Sequence, residues 1–362
     1  MLYNLSDFRD IFFGFNIFKY ITFRAGMAAV TTFALCVLLG PFFIRKLRQM
    51  KIGEVARRKD CPDLDKFHNS KEGTPTMGGI FIIGSIVISV LLWARLSNKY
   101  ILLTLFTCLW LAVLGFVDDY VKLKCIGGRR GLSKRTKLIW QILIGCFVGS
   151  YVYFNPDTPS TLTFPFFKKL VIDMGLFYIP FVALVIIGTS NAVNLTDGLD
   201  GLAIGCVLIV SMALAILSYV TGHISFSKYL FLPFVSDAGE LSIFCAAIVG
   251  ASLGFLWFNC YPADIFMGDT GALALGGSIG TIAVLIKQEI LLVLLGGVFV
   301  IEAFSVILQV LSVKLRGKRL FKMSPLHHHL QLSGWKESKI IIRFWILAII
   351  FALITLTTLK IR

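Results

Sequence analysis

The sequence predicts an all-α integral membrane protein. Of its 362 residues, 57% are hydrophobic and only 15% are charged, and the mean hydropathy is +0.84, far more apolar than a soluble domain. The apolar residues come in runs of roughly 20, the length that an α-helix needs to cross a bilayer. Period-two alternation, which would indicate a membrane β-barrel, is absent. We therefore expect residues 1–362 to form a single polytopic membrane domain of about ten transmembrane helices.

Ten apolar segments have a length suited to such helices. They lie at residues 22–44, 76–93, 100–118, 137–154, 174–190, 201–220, 240–258, 270–286, 290–312 and 341–359. Residues 1–20 are rich in Phe but begin with the acidic Asp7 and Asp10 and lack a basic region with a cleavage site. We interpret them as an interfacial segment on the outer face, not as a cleaved signal peptide.

The basic residues are unevenly distributed among the loops. Lys and Arg are dense after the first and third spans and before the last, and sparse in the even-numbered loops. Because basic loops stay on the cytoplasmic side, the odd-numbered loops should face the cytoplasm and both termini the periplasm. We interpret the net charge of +15 as a topology signal that also attracts membrane lipids and phosphorylated substrates, and not as a sign of nucleic-acid binding.

The third span ends in two adjacent acids, Asp118 and Asp119, followed by Lys122. Adjacent carboxylates repel each other and gain from a divalent cation or a nearby lysine. The alternative is an interfacial helix end at which Asp118 and Lys122 form an ordinary i,i+4 ion pair.

The next cytoplasmic loop is rich in amide and carboxylate side chains. They are Asn191, Asn194, Asp197 and Asp200. The spacing of three from Asn194 onward would place the last three on one face if the segment is helical. The alternative is a capped turn, since Asn, Thr, Asp and Gly are ordinary turn residues.

The loop between the seventh and eighth spans carries Asn259, Asp264 and Asp269. Asp269 directly precedes a predicted helix, so its simplest role is to cap the helix N-terminus. A carboxylate on that rigid helix end is also placed to coordinate Mg²⁺ beside backbone N–H groups that suit phosphate. Asp264, nearer the loop centre, is the weaker candidate.

Two further polar stretches lie in cytoplasmic loops. His327, His328 and His329 are consecutive, so they cannot share one face of regular structure, and a three-histidine zinc site is disfavoured. They suit a phosphate or carboxylate contact, with exposed loop histidines as the alternative. Lys71 lies just before the second span, where it meets either a phosphate or the membrane interface, and Thr76 lies at the start of that span.

Glu302 and Gln309 lie within the ninth span, where buried polarity is costly. Either a bend or lipid groove, or hydrogen bonding between helices, would account for them. The eight cysteines are scattered without a CxxC pair, so they indicate neither a zinc site nor a disulfide framework.

The predicted topology gathers these acids, amides, histidines and lysines on one membrane face. Many hard oxygen ligands with little Cys suit Mg²⁺ or Mn²⁺. The sequence has no Walker A motif and no kinase-type glycine loop, which disfavours an ATP-driven pump. Oxygen ligands, a divalent cation and lysines fit phosphoryl transfer. The residues alone do not identify the donor.

Four motifs resemble the polyprenyl-phosphate N-acetylhexosamine-1-phosphate transferase superfamily. They are DDYVK at 118–122, NAVNLTDGLDGL at 191–202, FMGD at 266–269 and PLHHH at 325–329. Within it, KEGTPTMGG at 71–79, the histidine motif, Gly334-Trp335 and Arg343-Phe344-Trp345 resemble the phospho-N-acetylmuramoyl-pentapeptide transferase family. The likeness runs from about residue 24 to the last span.

The resemblance implies an Mg²⁺-dependent enzyme of the bacterial inner membrane. It would convert UDP-N-acetylmuramoyl-pentapeptide and undecaprenyl phosphate into UMP and undecaprenyl-pyrophosphoryl-N-acetylmuramoyl-pentapeptide, or lipid I, in the first membrane step of peptidoglycan synthesis. A homodimer is a family-based expectation. Two alternatives stay open: a related transferase that uses UDP-N-acetylglucosamine, and, in another class, an ion-coupled transporter with intramembrane carboxylates.

The resemblance also implies roles for individual residues. Asp118 and Asp119 would be the catalytic pair, and Asp269 the metal ligand beside them. Asn194 and Asp197 would contact the uridine end of the donor. The phosphates and sugar would meet Lys71, Lys122, Lys134, Asn259, His327, His328 and His329, and Thr76, Asn191 and Asp200 complete the expected substrate-binding set.

The chain departs from the family pattern at two places. Leu330-Gln331 stands where Phe-Glu is common, and Thr270-Gly271-Ala272 replaces a frequent Val-Gly-Ser. Neither departure removes a metal ligand, so we expect them to affect only finer substrate contacts.

Overall fold

The computed structural model describes residues 2–10, 12–50, 73–124, 131–156, 158–165, 167 and 170–361 of the chain. Among the candidate site residues, Lys71 lies outside this described part. Thirteen α-helices occur in it: α1 (Ile21–Gln49), α2 (Gly79–Trp93), α3 (Lys99–Lys124), α4 (Lys134–Phe154), α5 (Tyr178–Thr196), α6 (Leu202–Thr221), α7 (Ile224–Tyr229), α8 (Leu241–Asn259), α9 (Gly268–Leu285), α10 (Glu289–Leu295), α11 (Gly297–Arg316), α12 (Leu326–Leu332) and α13 (Glu337–Ile361).

Within the described ranges, nine helical segments are long and apolar enough to cross a membrane. The apolar α2, at 15 residues, is shorter than the roughly 20 that a full crossing needs. The mostly helical, multi-pass membrane architecture is therefore confirmed. The second predicted span starts late because the N–H groups of Gly78 and Gly79 donate to Phe266 O and Met267 O, each over 2.8 Å. The chain at Gly78 and Gly79 is therefore hydrogen-bonded to the segment before α9, and α2 begins only at Gly79.

The ninth predicted span, 290–312, is divided into α10 and α11. The break falls at Gly296, which is followed by Gly297. Glycine is a poor helix former, so a pair of glycines is a natural place for a helix to break. A Cβ at Gly297 would lie 2.7 Å from the Phe351 ring, so the start of α11 packs tightly against α13.

Two features lie outside the membrane helices. A short antiparallel pair, β1 (Thr161–Thr163) and β2 (Val171–Asp173), lies between α4 and α5. Their Thr, Val and Ile residues favour extended structure. Near the N-terminus, Leu2–Phe8 and Phe13–Lys19 form 3₁₀-helices, which leave large aromatic side chains such as Phe13 exposed.

The central helix of the molecule is α9, which is buried along almost its whole length. It packs against α2, α3, α5 and α6. Its many small residues allow this, since small side chains let helix backbones approach closely. At its N-terminus, a Cβ on Gly115 of α3 would lie 2.4 Å from Asp269 O, and one on Gly79 of α2 2.1 Å from Gly271 N. These two glycines place the start of α9 directly against the ends of α2 and α3.

Candidate active site

Three buried carboxylates meet where α3 ends and α9 begins. Asp118 and Asp119 lie in the last turns of α3, and Asp269 lies in the first turn of α9. One carboxylate oxygen from each lies within 4.8 Å of the other two. The predicted catalytic pair and the predicted metal ligand are thus brought together from positions 150 residues apart in the chain.

Asp119 holds the start of α9 in place. Its Oδ1 accepts the N–H of Asp269 over 3.2 Å, and its Oδ2 accepts the N–H and hydroxyl of Thr270 over 3.0 and 2.7 Å. The first N–H groups of a helix have no partner within the helix, so an acid from another helix satisfies them here. Gly268 has a φ of +75°, and a Cβ there would lie 2.8 Å from Asp119 Oδ2. Asp269 itself is therefore free of the capping role that was its simplest interpretation.

Two lysines neutralise part of this negative charge. Lys122 Nζ lies 2.6 Å from Asp118 Oδ2 and 2.9 Å from Asp269 Oδ1. Lys137 Nζ lies 2.7 Å from both Asp118 Oδ2 and Asp269 Oδ2. The predicted i,i+4 pair of Asp118 and Lys122 exists, but it is one contact in a shared network. Three carboxylates face two ammonium groups, which leaves one formal negative charge in excess.

Lys137 is a candidate site residue that the sequence interpretation missed. It had proposed Lys134, which lies one turn earlier at the start of α4 and is exposed. Ser133 caps this helix by accepting the N–H of Thr136 over 3.1 Å, so the helix begins early enough to carry Lys137 one turn inside. A lysine inside an apolar helix is costly unless it has a partner. That argument, applied to position 137, would have identified it.

The donor set of the cluster suits a hard divalent cation. Asp118, Asp119 and Asp269 offer only carboxylate oxygens, the ligands that Mg²⁺ prefers. The side chains of Lys122 and Lys137 are 40% and 22% exposed, so the cluster opens to solvent on their side. The residues present therefore fit Mg²⁺, and a substrate has access to them.

The Asn/Asp loop, residues 191–201, does not form a continuous helical face. Helix α5 ends at Thr196, Asp197 takes the C-cap position, and turns follow up to Gly201. The predicted row of Asn194, Asp197 and Asp200 is therefore interrupted by a turn. Asp200 Oδ2 accepts the N–H of Ala263 over 3.1 Å, which ties this loop to the loop before α9.

Two of the predicted amides hold the structure around the cluster. Asn259 is buried; its Oδ1 accepts the N–H of Gly201 over 2.9 Å, and its Nδ2 donates to Ile265 O over 2.7 Å. Asn191 Nδ2 donates to Gln141 Oε1 over 3.0 Å and so joins α5 to α4. Thr76 is half-buried in the segment that pairs with the residues before α9.

The three histidines face different partners, as their consecutive positions require. They begin α12, where His327 Nδ1 lies 3.2 Å from Glu302 Oε2 and His328 Nδ1 lies 2.9 Å from Gln331 Oε1. His329 Nδ1 accepts the N–H of Lys322 over 3.2 Å. One departure from the family pattern, Gln331, is thus a direct partner of His328.

The polar residues of the ninth span serve hydrogen bonding between segments. Glu302 contacts the His327 ring, and Gln309 Oε1 accepts the N–H groups of Leu320 and Phe321 over 3.1 and 2.8 Å. The imidazole of His327 also lies against Gly198, where a Cβ would be 2.3 Å from Nε2. The histidine motif and the Asn/Asp loop are therefore in contact.

The cytoplasmic loops assigned from sequence thus meet at one end of the helix bundle, in two connected groups. The first is the carboxylate–lysine cluster of Asp118, Asp119, Lys122, Lys137 and Asp269. The second joins the Asn/Asp loop to the loop before α9 and to α12. The Asp264 carboxylate belongs to neither, because it is exposed and pairs with Arg48 over 3.2 Å.

Comparison with known proteins identifies the family. The model of glycosyl transferase family 4 matches residues 101–287, and signature 1 of phospho-N-acetylmuramoyl-pentapeptide-transferase matches residues 71–83. The phospho-N-acetylmuramoyl-pentapeptide-transferase of Pelobacter propionicus is 54% identical over 348 residues, which cover 96% of each chain. The enzyme of that name from Citrifermentans bemidjiense is 51% identical over 367 residues, which cover 100% of each chain. The one from Thermodesulfovibrio yellowstonii is 50% identical over 365 residues, which cover 100% of this chain and 99% of the relative. With this identity over its whole length, the chain belongs to the phospho-N-acetylmuramoyl-pentapeptide-transferase family.

Proposed function

We propose that the protein transfers phospho-N-acetylmuramoyl-pentapeptide from UDP-N-acetylmuramoyl-pentapeptide to undecaprenyl phosphate. UMP and lipid I are the products, and the reaction takes place at the cytoplasmic face of the bacterial inner membrane. The observation that carries the proposal is the carboxylate–lysine cluster, in a chain half identical to transferases of this name. Oxygen ligands and ammonium groups at one point are what phosphoryl transfer between two anionic substrates requires.

Asp118, Asp119 and Asp269 would hold the Mg²⁺ ion in this proposal. When bound, Mg²⁺ neutralises charge on the diphosphate of the donor and polarises its P–O bonds. Asp119 would bind it while keeping its hydrogen bonds to the start of α9, which fix the carboxylate in place. A metal ligand held in this way needs little reorganisation when substrate arrives.

Lys122 and Lys137 would change partners during the reaction. In the structure their ammonium groups contact Asp118 and Asp269. Phosphate oxygens of the two substrates compete for the same donors, so we expect both lysines to turn toward them and reduce the repulsion between two anions. An oxygen of the lipid phosphate then attacks the β-phosphorus of the donor. The new P–O bond forms as the bond to the bridging oxygen breaks, and UMP leaves with that oxygen and its electron pair.

Asp118 can take part by two routes. In the structure both ammonium groups contact its Oδ2. Once the lysines move to phosphate, the carboxylate can take a proton from a lipid phosphate that arrives protonated. In the second route, a carboxylate of the pair attacks the donor first and forms a covalent intermediate.

The second group of polar residues would bind the donor. Asn194 and Asp197 would contact its uridine end, and the three histidines, Lys71, Thr76, Lys134 and Asp200 its phosphates and sugar. For the Asn/Asp loop and the histidines, this role is supported by the contacts that bring that loop, the loop before α9 and α12 together. The hydrogen bonds of Asn191 and Asn259 to protein groups indicate that these two act by fixing the surrounding segments.

The two alternatives are disfavoured by specific observations. UDP-N-acetylglucosamine could serve as the donor in the same chemistry. The match of residues 71–83 to the phospho-N-acetylmuramoyl-pentapeptide-transferase signature favours the muramoyl-pentapeptide donor instead. An ion-coupled transporter would place its carboxylates near the bilayer midplane. Here the three carboxylates lie toward the ends of helices that are long enough to cross the membrane.

The proposal is tested with purified protein in detergent, undecaprenyl phosphate, Mg²⁺ and each of the two UDP-sugars in parallel. Mass spectrometry identifies the lipid product, and chromatography identifies the released nucleotide. We expect lipid I and UMP from the muramoyl-pentapeptide donor alone. Product from UDP-N-acetylglucosamine alone would move the protein to the other transferase branch, and release of UDP would show transfer of the sugar without its phosphate. No product from either donor would refute the proposal.

A further inference from the structure

A buried carboxylate and imidazole face each other beneath the Asn/Asp loop. Glu302 of α11 and His327 of α12 are both 0% exposed, and Glu302 Oε2 lies 3.2 Å from His327 Nδ1. Among the described residues, neither Glu302 Oε1 nor His327 Nε2 has a hydrogen-bond partner. A carboxylate inside a membrane helix is costly, and so are two buried polar atoms without partners. Packing alone would be better served by an apolar pair.

The contact favours one tautomer of His327. An ionised carboxylate only accepts hydrogen bonds, so the tautomer that pairs with that form of Glu302 carries its proton on Nδ1. In the neutral ring, Nε2 is then left as an acceptor. Its direction is also fixed, because Nε2 lies against Gly198, where a Cβ would be 2.3 Å away. Glycine is required at this position for the ring to occupy its site.

Gly198 directly follows Asp197 in the turn between α5 and α6. We propose that Glu302 is a positioning residue for donor binding: it fixes the ring of His327, which packs against Gly198 and so holds the turn after Asp197 in the shape that receives the nucleotide. The inference rests on the proposed function, which places the uridine end of the donor at this turn. Glu302 acts only through His327.

Steady-state kinetics of four variants test this role: Glu302→Ala, Glu302→Gln, His327→Gln and the double variant Glu302→Ala/His327→Gln. Glu302→Ala should raise the KM for the UDP donor about tenfold or more, the effect expected for a lost hydrogen bond to a charged group. The KM for undecaprenyl phosphate should stay unchanged. Glu302→Gln should keep the donor KM near the wild-type value, because its amide oxygen still accepts from Nδ1. The double variant should be no worse than the more impaired single variant, since both remove the same interaction.

Ser305→Ala is the matched control. Ser305 is buried one turn further along α11, and its hydroxyl donates to Glu302 O over 2.7 Å, not to the carboxylate. Its removal should leave both KM values unchanged, while melting temperatures show whether each variant is folded. Additive effects in the double variant, or a wild-type donor KM in a folded Glu302→Ala protein, would overturn the proposal.

A measurement that does not need turnover separates this inference from the proposed function. In protein labelled with ¹⁵N-histidine, the His327 signals are those lost in His327→Gln. We expect a protonated Nδ1 and an unprotonated Nε2 in the wild type, and a changed tautomer in Glu302→Ala. Identical His327 signals in the two proteins would overturn the positioning role. A wild type that transfers no sugar but shows the tautomer change would refute only the proposed function.

Discussion

Buried charged groups lie at both ends of the helix bundle, but the two ends are organised differently. Glu240 directly precedes α8. The Arg24 guanidinium donates to both of its carboxylate oxygens, over 2.8 and 2.5 Å, and to Trp93 O over 3.2 Å. Just after α9, Lys287 Nζ lies 2.7 Å from the Tyr178 hydroxyl and 3.1 Å from Glu289 Oε1. Each of these groups pairs one acid with one base and is almost fully buried.

The carboxylate–lysine cluster, at the start of α9, has neither property. Three acids face two lysines, and the lysine side chains are partly exposed. A closed, balanced pair has no charge left for a ligand, and its desolvation cost means that it stabilises the fold weakly. An unbalanced cluster with access to solvent has both a charge to neutralise and a route for the partner that neutralises it. Charge balance and access to solvent, more than burial, therefore distinguish the carboxylate–lysine cluster from the two closed pairs.

We expect the largest effect on the transfer rate for Asp118→Asn in the carboxylate–lysine cluster. The amide keeps the shape and can still accept the N–H of Leu132, which lies 2.7 Å from Oδ1, but the charge that faces both lysines is lost. We expect a fall in the transfer rate of roughly 10³-fold, measured as lipid product per unit of folded protein. Asp264→Asn, a change to the exposed acid of the neighbouring loop, is the control and should keep the rate. A folded Asp118→Asn protein with near-normal turnover would show that the charge of this cluster is not needed for transfer.

Lys137→Met should have the next largest effect. It removes one of the two ammonium groups but leaves Lys122, so we expect the transfer rate to fall roughly 10²-fold. Lys134→Met, a change to the exposed lysine one turn earlier, should reduce the rate less. Rates of the two variants at saturating donor decide the ranking. A larger loss in Lys134→Met would return the site to the lysine that the family resemblance indicated.

Arg24→Met should affect stability and not chemistry. It leaves the Glu240 carboxylate buried without its partner, which costs about 3–5 kcal/mol in comparable buried pairs. We expect a clearly lower melting temperature in detergent and an unchanged transfer rate per folded molecule at low temperature. Arg48→Met is the matched control, since it breaks the exposed pair with Asp264 and should cost about 0–1 kcal/mol. Equal melting temperatures for the two variants would show that the Arg24–Glu240 pair does not stabilise the fold.

The smallest effect concerns the β1–β2 segment. The Ser160 hydroxyl and the Gly175 N–H both donate to Asp173 Oδ1 and lower the pKa of this exposed carboxyl. Because the folded pKa lies below the unfolded one, the stabilisation is present above the unfolded pKa and lost as the pH falls through the folded pKa. Asp173→Asn should therefore remove a slight acid-side decline in melting temperature and leave the transfer rate unchanged. A pH profile of melting temperature that matches the wild type would show that this bond contributes nothing.

Much of this architecture could be predicted from sequence because the membrane imposes it. Apolar runs of fixed length and the bias of basic loops located each apolar helix and grouped the polar loops on one face. That grouping assigned Asp118, Asp119 and Asp269 to the same face, and the structure brings their carboxylates together. The orientation of the termini stays a prediction.

Other features depend on packing between distant segments, which periodicity does not report. The break at Gly296 and the late start of α2 follow from contacts with α13 and with the segment before α9. The choice of Lys137 over Lys134 depends on where α4 begins and which way its first turn faces. The capping of α9 by Asp119 joins positions 150 residues apart, so local rules assigned that cap to Asp269.

The most direct test of the central claim is the metal dependence of lipid I formation by the purified wild type and by Asp269→Asn. Asp269 lies in the carboxylate–lysine cluster and contacts both Lys122 and Lys137. We predict that EDTA abolishes wild-type turnover, that added Mg²⁺ restores it, and that folded Asp269→Asn protein stays inactive at every Mg²⁺ concentration. Wild-type turnover that survives EDTA, or an Asp269→Asn protein with the same Mg²⁺ response as the wild type, would contradict the claim that this cluster is the reaction centre.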